Sequence, residues 1–298
     1  MATRGPKPTI GQVLPRQGVF TTAQARALGA TEDQLRSKAV SRVFHGVYTA
    51  EDPSKLSVRA RAALLLAGEG ALLCEASALR MLGVTLPQRF ATEPDIHILA
   101  APGDSGPQVA GIHTHRSNVS QIALMEGTWP VLDPMECWLQ LAARATLDEL
   151  VVVADSLLKR GLVTSEELLP VVEARAGARG VRVARQAAHL ARPGVGSPLE
   201  SRVRVALAQG GLPVPEVAYL LPDKRGHLQM AYPESMVGVE VDSGSPDPLR
   251  REREILRWRG IEDEGWRIIV ATRSDVRDPR ALVRSVSQAL EKRATTDM

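Results

Sequence analysis

Residues 227–242, HLQMAYPESMVGVEVD, decide how the last third of this 298-residue chain is built. Val237, Val239 and Val241 alternate with Gly238, Glu240 and Asp242, the period-two pattern of a strand with one apolar face. The run before Pro233 predicts a second strand, so the stretch reads as two strands joined by a proline-containing turn. The alternation also sets Glu240 and Asp242 on one face, roughly 7 Å apart. Two carboxylates at that spacing repel unless a cation lies between them or both reach water. A divalent metal is one such cation.

The elements around this stretch predict a small mixed domain. Ser197–Pro198–Leu199–Glu200 is a strong helix start, with serine as cap, proline at the first helical position and glutamate at the third. That helix runs to about Gln209. A strand follows near Glu216–Leu221, then a turn over 223–226 and the two strands of the opening stretch. A charged helix over Arg250–Trp258, a strand over Trp266–Ala271 and a helix over Arg280–Lys292 complete the order αβββαβα.

With "SPLESRVR", "AYPESMVGVEVDSG" and "EGWRIIVATRSDVRDPRALV", residues 196–290 resemble the very-short-patch-repair-like branch of the PD-(D/E)XK nucleases. The resemblance implies a Mg²⁺ ion that activates water against a phosphodiester, held by acidic groups on two strands and the first helix. Carried over by position, these are Glu200, Glu240 and Asp242. The first-strand aspartate has no match, because Leu228–Gln229–Met230 stands in its place, and a neutral amide oxygen is a poor ligand for a hard cation. The family's Asp-Gly is Asp242–Ser243 here, and its following histidine is absent, since His227 is the last in the chain. The resemblance therefore implies a vestigial nuclease site with no cofactor, or Mg²⁺ at Glu240 and Asp242 if the site is active.

The N-terminal fifty residues carry seven Lys/Arg against two acids, whereas residues 51–190 carry thirteen against sixteen and 191–298 seventeen against sixteen. A basic head on a near-neutral body points toward nucleic acid. Thr9-x-x-Gln12, Thr21-x-x-Gln24 and Thr31-x-x-Gln34 match the capping box and predict short helices near 10–17, 22–28 and 32–38. Residues 40–49 read as a ribbon turning at His45–Gly46. Three helices and a two-stranded ribbon make a winged helix-turn-helix. Its recognition helix would expose Gln34, Arg36, Ser37 and Lys38, with Arg42 and His45 on or near the wing. The phrases Gly18–Val19–Phe20–Thr21, Ala23–Gln24–Ala25 and Arg42–Val43 followed by His45–Gly46–Val47–Tyr48 resemble the N-terminal domain of actinobacterial AbiEi-type antitoxins. That resemblance implies a DNA-binding domain that represses its own operon.

Between these ends, helices are expected over 56–66 and 71–82, strands over Asp95–Ala101 and Ala110–His115, and helices opened by Thr146-x-x-Glu149 and Thr164-x-x-Glu167. His113 and His115 share a strand face, but no third metal ligand is evident nearby in sequence. "ALLCEASALRMLGV" and "GIHTHRS" resemble the middle region of the same antitoxin-like proteins, where a histidine often stands at the place of Cys74–Glu75. The resemblance implies a scaffold for dimerisation or toxin docking.

The expected fold is therefore α+β in three parts: a winged helix over 1–55, a mixed α/β region over 56–190 and a restriction-endonuclease-like domain over 191–298. Apolar content of 44% and charged content of 24% are those of a soluble globular protein, and aromatics at 3% leave the cores to Leu, Val, Ile and Ala. Cys74 and Cys137 lie in apolar runs without metal spacing and read as buried thiols in a reducing compartment. No run approaches a membrane span and no signal-peptide core opens the chain, so a cytoplasmic protein is expected. The leading functional expectation is a DNA-binding, antitoxin-like repressor that acts on double-stranded DNA, with a cognate toxin and a homodimer as possible partners. The alternatives are a Mg²⁺-dependent endonuclease targeted by the winged helix, and a protein-interaction scaffold.

Overall fold

A computed structural model describes residues 18–116, 123–127, 129–222, 226–242, 244 and 247–296. The helix expected at 10–17, with its Thr9 capping box, and most of the turn over 223–226 lie outside those residues. The chain is α+β and divides into two compact units, one made of 1–83 with 88–137 and the other of 84–87 with 138–298. This division differs from the expected boundaries at 55 and 190.

The first unit opens with β1 (Val19–Thr21), α1 (Thr22–Ala27), α2 (Glu32–Leu35), β2 (Ser41–Phe44) and β3 (Val47–Thr49). The strands form a sheet of order β1-β3-β2, so the two helices are inserted between an edge strand and the ribbon. β1 is a third strand that the sequence pattern did not disclose. Both capping boxes form: Thr21 and Thr31 accept from the amides of Gln24 and Gln34, whose side chains accept in return from the cap amides. Phe20, Ala25, Ala30 and Leu35 make the small core, packed against Val40 and Tyr48.

α2 is shorter than expected. The Ser37 hydroxyl donates to the Gln34 carbonyl at 2.7 Å, taking the acceptor that the Lys38 amide would need to continue the helix. The helix therefore stops at Leu35, and Arg36, Ser37 and Lys38 lie in the turn beyond it.

The remainder of the unit is α3 (Leu56–Ala67), β4 (Leu72–Leu73), α4 (Glu75–Met81), α5 (Gln88–Ala91), β5 (Ile96–Leu99), β6 (Ile112–His115), β7 (Ala123–Glu126) and β8 (Trp129–Leu132). Its sheet has the order β6-β5-β4-β8-β7, with β5 and β6 parallel. Gly111 ahead of β6 holds φ at +86°, and a Cβ there would press on the Phe44 ring at 3.1 Å, so glycine lets β6 begin against the ribbon. Cys74 and Cys137 are free and buried, and burial pushes both thiols well above their ordinary range.

The second unit holds α7 (Leu147–Lys159), α8 (Ser165–Glu173), α9 (Val181–Leu190), α10 (Pro198–Gln209), β9 (Glu216–Leu220), β10 (His227–Tyr232), β11 (Val237–Val241), α11 (Pro248–Asp263), β12 (Arg267–Ala271), α12 (Arg273–Arg277) and α13 (Arg280–Thr296); α6 (Pro134–Leu141) leads into it. The sheet order is β12-β11-β10-β9. The first three strands are antiparallel, and β12 returns parallel to β11 after α11. The expected αβββαβα order is present, with the short α12 added. Val237, Val239 and Val241 face Val203 and Leu207 of α10 and Leu282, Val286 and Ala289 of α13. The opposite face carries Leu228, Ala231 and Ile268 against Ile261 and Trp266.

α10 belongs to the same unit as α7 because of a buried ion pair. Arg204, fully buried, donates to Asp155, which is 3% exposed. The same carboxylate accepts from Ser201 Oγ at 2.6 Å and the Arg192 amide at 2.8 Å. Burial pushes Asp155 up and Arg204 down, and their mutual attraction opposes both shifts. Removing one partner of such a pair strands a charge in the interior. Asp155→Ala should lower the unfolding free energy by about 3–5 kcal/mol in a urea titration; a loss below ~1 kcal/mol would mean that Arg204 is satisfied without it.

Candidate nucleic-acid interface and metal centre

Three groups of side chains bear on function. The first is the set of basic residues in and around the β1-β3-β2 layer. Arg36, Lys38, Arg42 and His45 are exposed, whereas Gln34 and Ser37 are half-buried. Gln34 is spent on its capping box, and the Ser37 hydroxyl on the Gln34 carbonyl. Of the six expected contacts, the four cationic or ionisable ones are thus presented to solvent. The tip of the ribbon is fixed: the Gly46 carbonyl accepts from the Thr22 amide at 2.9 Å, which ties the turn carrying His45 to the start of α1. With only four residues, α2 spans about 6 Å, so the turn that follows it carries Arg36 and Lys38.

The second group is the carboxylate pair of β11. Glu240 is 1% exposed and its oxygens are fully engaged. Oε1 accepts from the Gln229 amide at 3.0 Å, and Oε2 accepts from Trp258 Nε1 at 3.1 Å and from the Arg257 guanidinium. Arg257 also donates to the His227 carbonyl at 3.0 Å, so one side chain of α11 clasps β10 and β11 together. This happens where the strands part. Their register ends at Met230↔Val239, and beyond it side chains replace the ladder: Gln229 Oε1 accepts from the Val241 amide at 2.5 Å. Leu228 and Ala231 share a face although three residues apart, so the alternation in β10 is interrupted at Gln229.

Asp242 accepts from the Gly244 amide at 2.7 Å and lies 3.5 Å from Arg251, another α11 residue. The cations that answer the two like charges are therefore guanidinium groups. Glu200 is not brought to this point. Its carboxylate accepts from the Gly196 amide and Ser197 Oγ at 2.9 and 3.0 Å, and its helix covers the sheet face opposite to Glu240. The constellation Glu200, Glu240, Asp242 is dispersed.

The third group is one that sequence spacing missed. Glu75 at the start of α4, His97 on β5 and His115 on β6 offer ligand atoms that all lie within 4.8 Å of one another. His97 Nδ1 is 2.9 Å from His115 Nε2 and 3.2 Å from Glu75 Oε2. On its other side, His97 Nε2 is 3.4 Å from Glu93 Oε1. Glu75 and His97 are buried and His115 is half-buried. Glu75 holds φ at +50°, a left-handed conformation that costs a non-glycine residue about 1–3 kcal/mol. His113 stacks on His97 with ring centroids 4.9 Å apart but pairs with Asp95 at 2.8 Å. Glu75 and His97 thus stand beside His115, a juxtaposition that the sequence spacing did not reveal.

No protein-family model and no solved structure matches the chain. It is similar to the uncharacterized proteins MT2308 and Rv2248 of Mycobacterium tuberculosis, each 26% identical over 283 residues, covering 87% of this chain and 95% of the relative. Among the described residues, no helix is long and apolar enough to cross a membrane.

The closed β11 site has a measurable consequence. Arg257→Ala leaves the Glu240 charge buried with one cation fewer and should cost about 3 kcal/mol or more of stability. Glu240→Gln in that background should restore part of the loss, a coupling that a double-mutant cycle by chemical denaturation reads directly. Strict additivity of the two changes would mean that the contact carries no energy.

Proposed function

We propose that this chain is a DNA-binding transcriptional regulator of the antitoxin-like kind, whose C-terminal domain has the strand order of a nuclease fold without nuclease chemistry. The observation that carries the DNA-binding half is the β1-β3-β2 layer, with two helices inserted between β1 and β2 and Arg36, Lys38, Arg42 and His45 exposed around it. That connectivity is compatible with a winged helix, and the exposure of these four residues supports the reading. Arg36 and Lys38, in the turn after α2, would meet phosphates or base edges, and Arg42 and His45 would meet the backbone from the ribbon. The antitoxin-like resemblance extends the reading to repression of the chain's own operon, with a toxin protein and a second copy of the chain as candidate partners.

The catalytic half of the alternative is disfavoured by chemistry. A divalent cation at Glu240 would have to displace Arg257 and Trp258 from a buried carboxylate, with Gln229 offering only an amide oxygen. Both halves have a simple readout. A gel shift on the promoter of the chain's own gene should weaken as salt rises, because each phosphate contact releases counterions. Arg36→Ala with Lys38→Ala should weaken that shift, and Arg42→Ala should reduce the slope of log K against log salt by about 1. Supercoiled plasmid with Mg²⁺ or Mn²⁺ should stay uncut. An unchanged shift in the variants would refute the interface, and nicking that Glu240→Ala abolishes would establish the endonuclease instead.

A further inference from the structure

We propose that Glu75, His97 and His115 form a binding site for one divalent transition-metal ion of the Zn²⁺ class, with Glu93 as the outer carboxylate that orients His97. Three observations lead to it. First, His97 Nδ1, His115 Nε2 and Glu75 Oε2 converge from three separate elements, with His97 Nδ1 at 2.9 Å and 3.2 Å from the other two. Ligand atoms around a four-coordinate Zn²⁺ with bonds of about 2.0–2.1 Å sit roughly 3.3 Å apart. The three ligand atoms lie within 4.8 Å of one another, so an ion would draw them to that spacing, and the half-buried His115 is the member with room to adjust.

Second, the far nitrogen of His97 faces Glu93 at 3.4 Å. A metal-bound imidazole characteristically donates its other N–H to a carboxylate, which fixes the ring and raises its basicity as a ligand. The strand position of His97 is fixed independently of its ring, since its amide donates to the buried Ser77 hydroxyl at 2.9 Å. Third, Glu75 reaches the cluster from a left-handed backbone conformation, φ +50°, that a glutamate adopts only where its surroundings impose it. The parallel pairing of β5 with β6 sets His97 directly beside His113, and the stagger of the two rows brings His115 over the same ring.

The donor set selects the ion. Two imidazoles and one carboxylate suit Zn²⁺ and its first-row neighbours, whereas Mg²⁺ and Ca²⁺ require oxygen ligands. Three protein ligands leave a fourth position, open toward His115, for water or another small ligand.

The test uses the full chain without an affinity tag, freed of metal by a chelator and titrated with Zn²⁺ against a chromophoric competitor. One equivalent should bind. Glu75→Gln and His115→Ala should each weaken that binding by about 100-fold or more, and Glu93→Gln by about 10–100-fold. His113→Ala, which removes a ring committed to Asp95, should leave it close to wild type. Co²⁺ in place of Zn²⁺ should give the intense visible bands of a four-coordinate ion, lost in His115→Ala, and Mg²⁺ should not compete. Circular dichroism separates a misfolded variant from a ligand-deficient one, and His115 is less buried than Glu75 or His97. Less than one equivalent in the wild type, equal affinity in His115→Ala, or a loss in His113→Ala as large as that in His115→Ala would each overturn the site.

Discussion

The second unit depends on one buried charge and the way it is neutralised. Glu240 stands on β11, a central strand flanked by β10 and β12, with 1% of its surface exposed. Water cannot solvate it, so the protein must supply every partner. Arg257, Trp258 and the Gln229 amide do so, and each of them also fixes something else. Arg257 and Trp258 hold α11 against the sheet. The Gln229 contact and the Arg257 bond to His227 close the gap where β10 and β11 separate. A guanidinium occupies the gap where the strands part, and these residues form a structural joint.

The first unit presents the complementary situation. Glu75, His97 and His115 bring ligand atoms within 4.8 Å of one another, with His97 Nδ1 at 3.2 Å from the Glu75 carboxylate. A carboxylate answered by arginine is finished chemically. A carboxylate beside an imidazole has a neighbour whose nitrogen can itself offer a lone pair to a metal, which a guanidinium cannot do. Glu240 and Glu75 are both buried acids, one on a central strand and the other at the start of a helix, and they differ in the neighbour shown against them, a guanidinium for Glu240 and an imidazole for Glu75.

What could be read in the sequence follows from how local each interaction is. The capping boxes at Thr21, Thr31, Thr146 and Thr164 and the serine cap at Ser197 were legible because donor and acceptor lie within three residues. The strands of the opening stretch were legible from their period. The halt of α2 at Leu35 was not, since it turns on a serine hydroxyl competing for one carbonyl. Arg257 appeared only as one of several charges on a polar helix, because its partner lies seventeen positions earlier on a strand. Glu75, His97 and His115 come from a helix start and two parallel strands, and only the β5–β6 register and the turn at Glu75 bring them together. His113, the histidine at strand spacing from His115, proved to point to Asp95 instead. Spacing identified the face, but tertiary structure chose the ligand.

The central claim is that the charge of Glu240 is balanced by Arg257 and not by a metal. Its most direct test is anomalous diffraction at the manganese edge from crystals of the full chain soaked in Mn²⁺. The account predicts no anomalous peak between Glu240 and Asp242, with the Arg257 guanidinium in contact with the Glu240 carboxylate. A peak bridging those two carboxylates, with Arg257 displaced toward solvent, would contradict it.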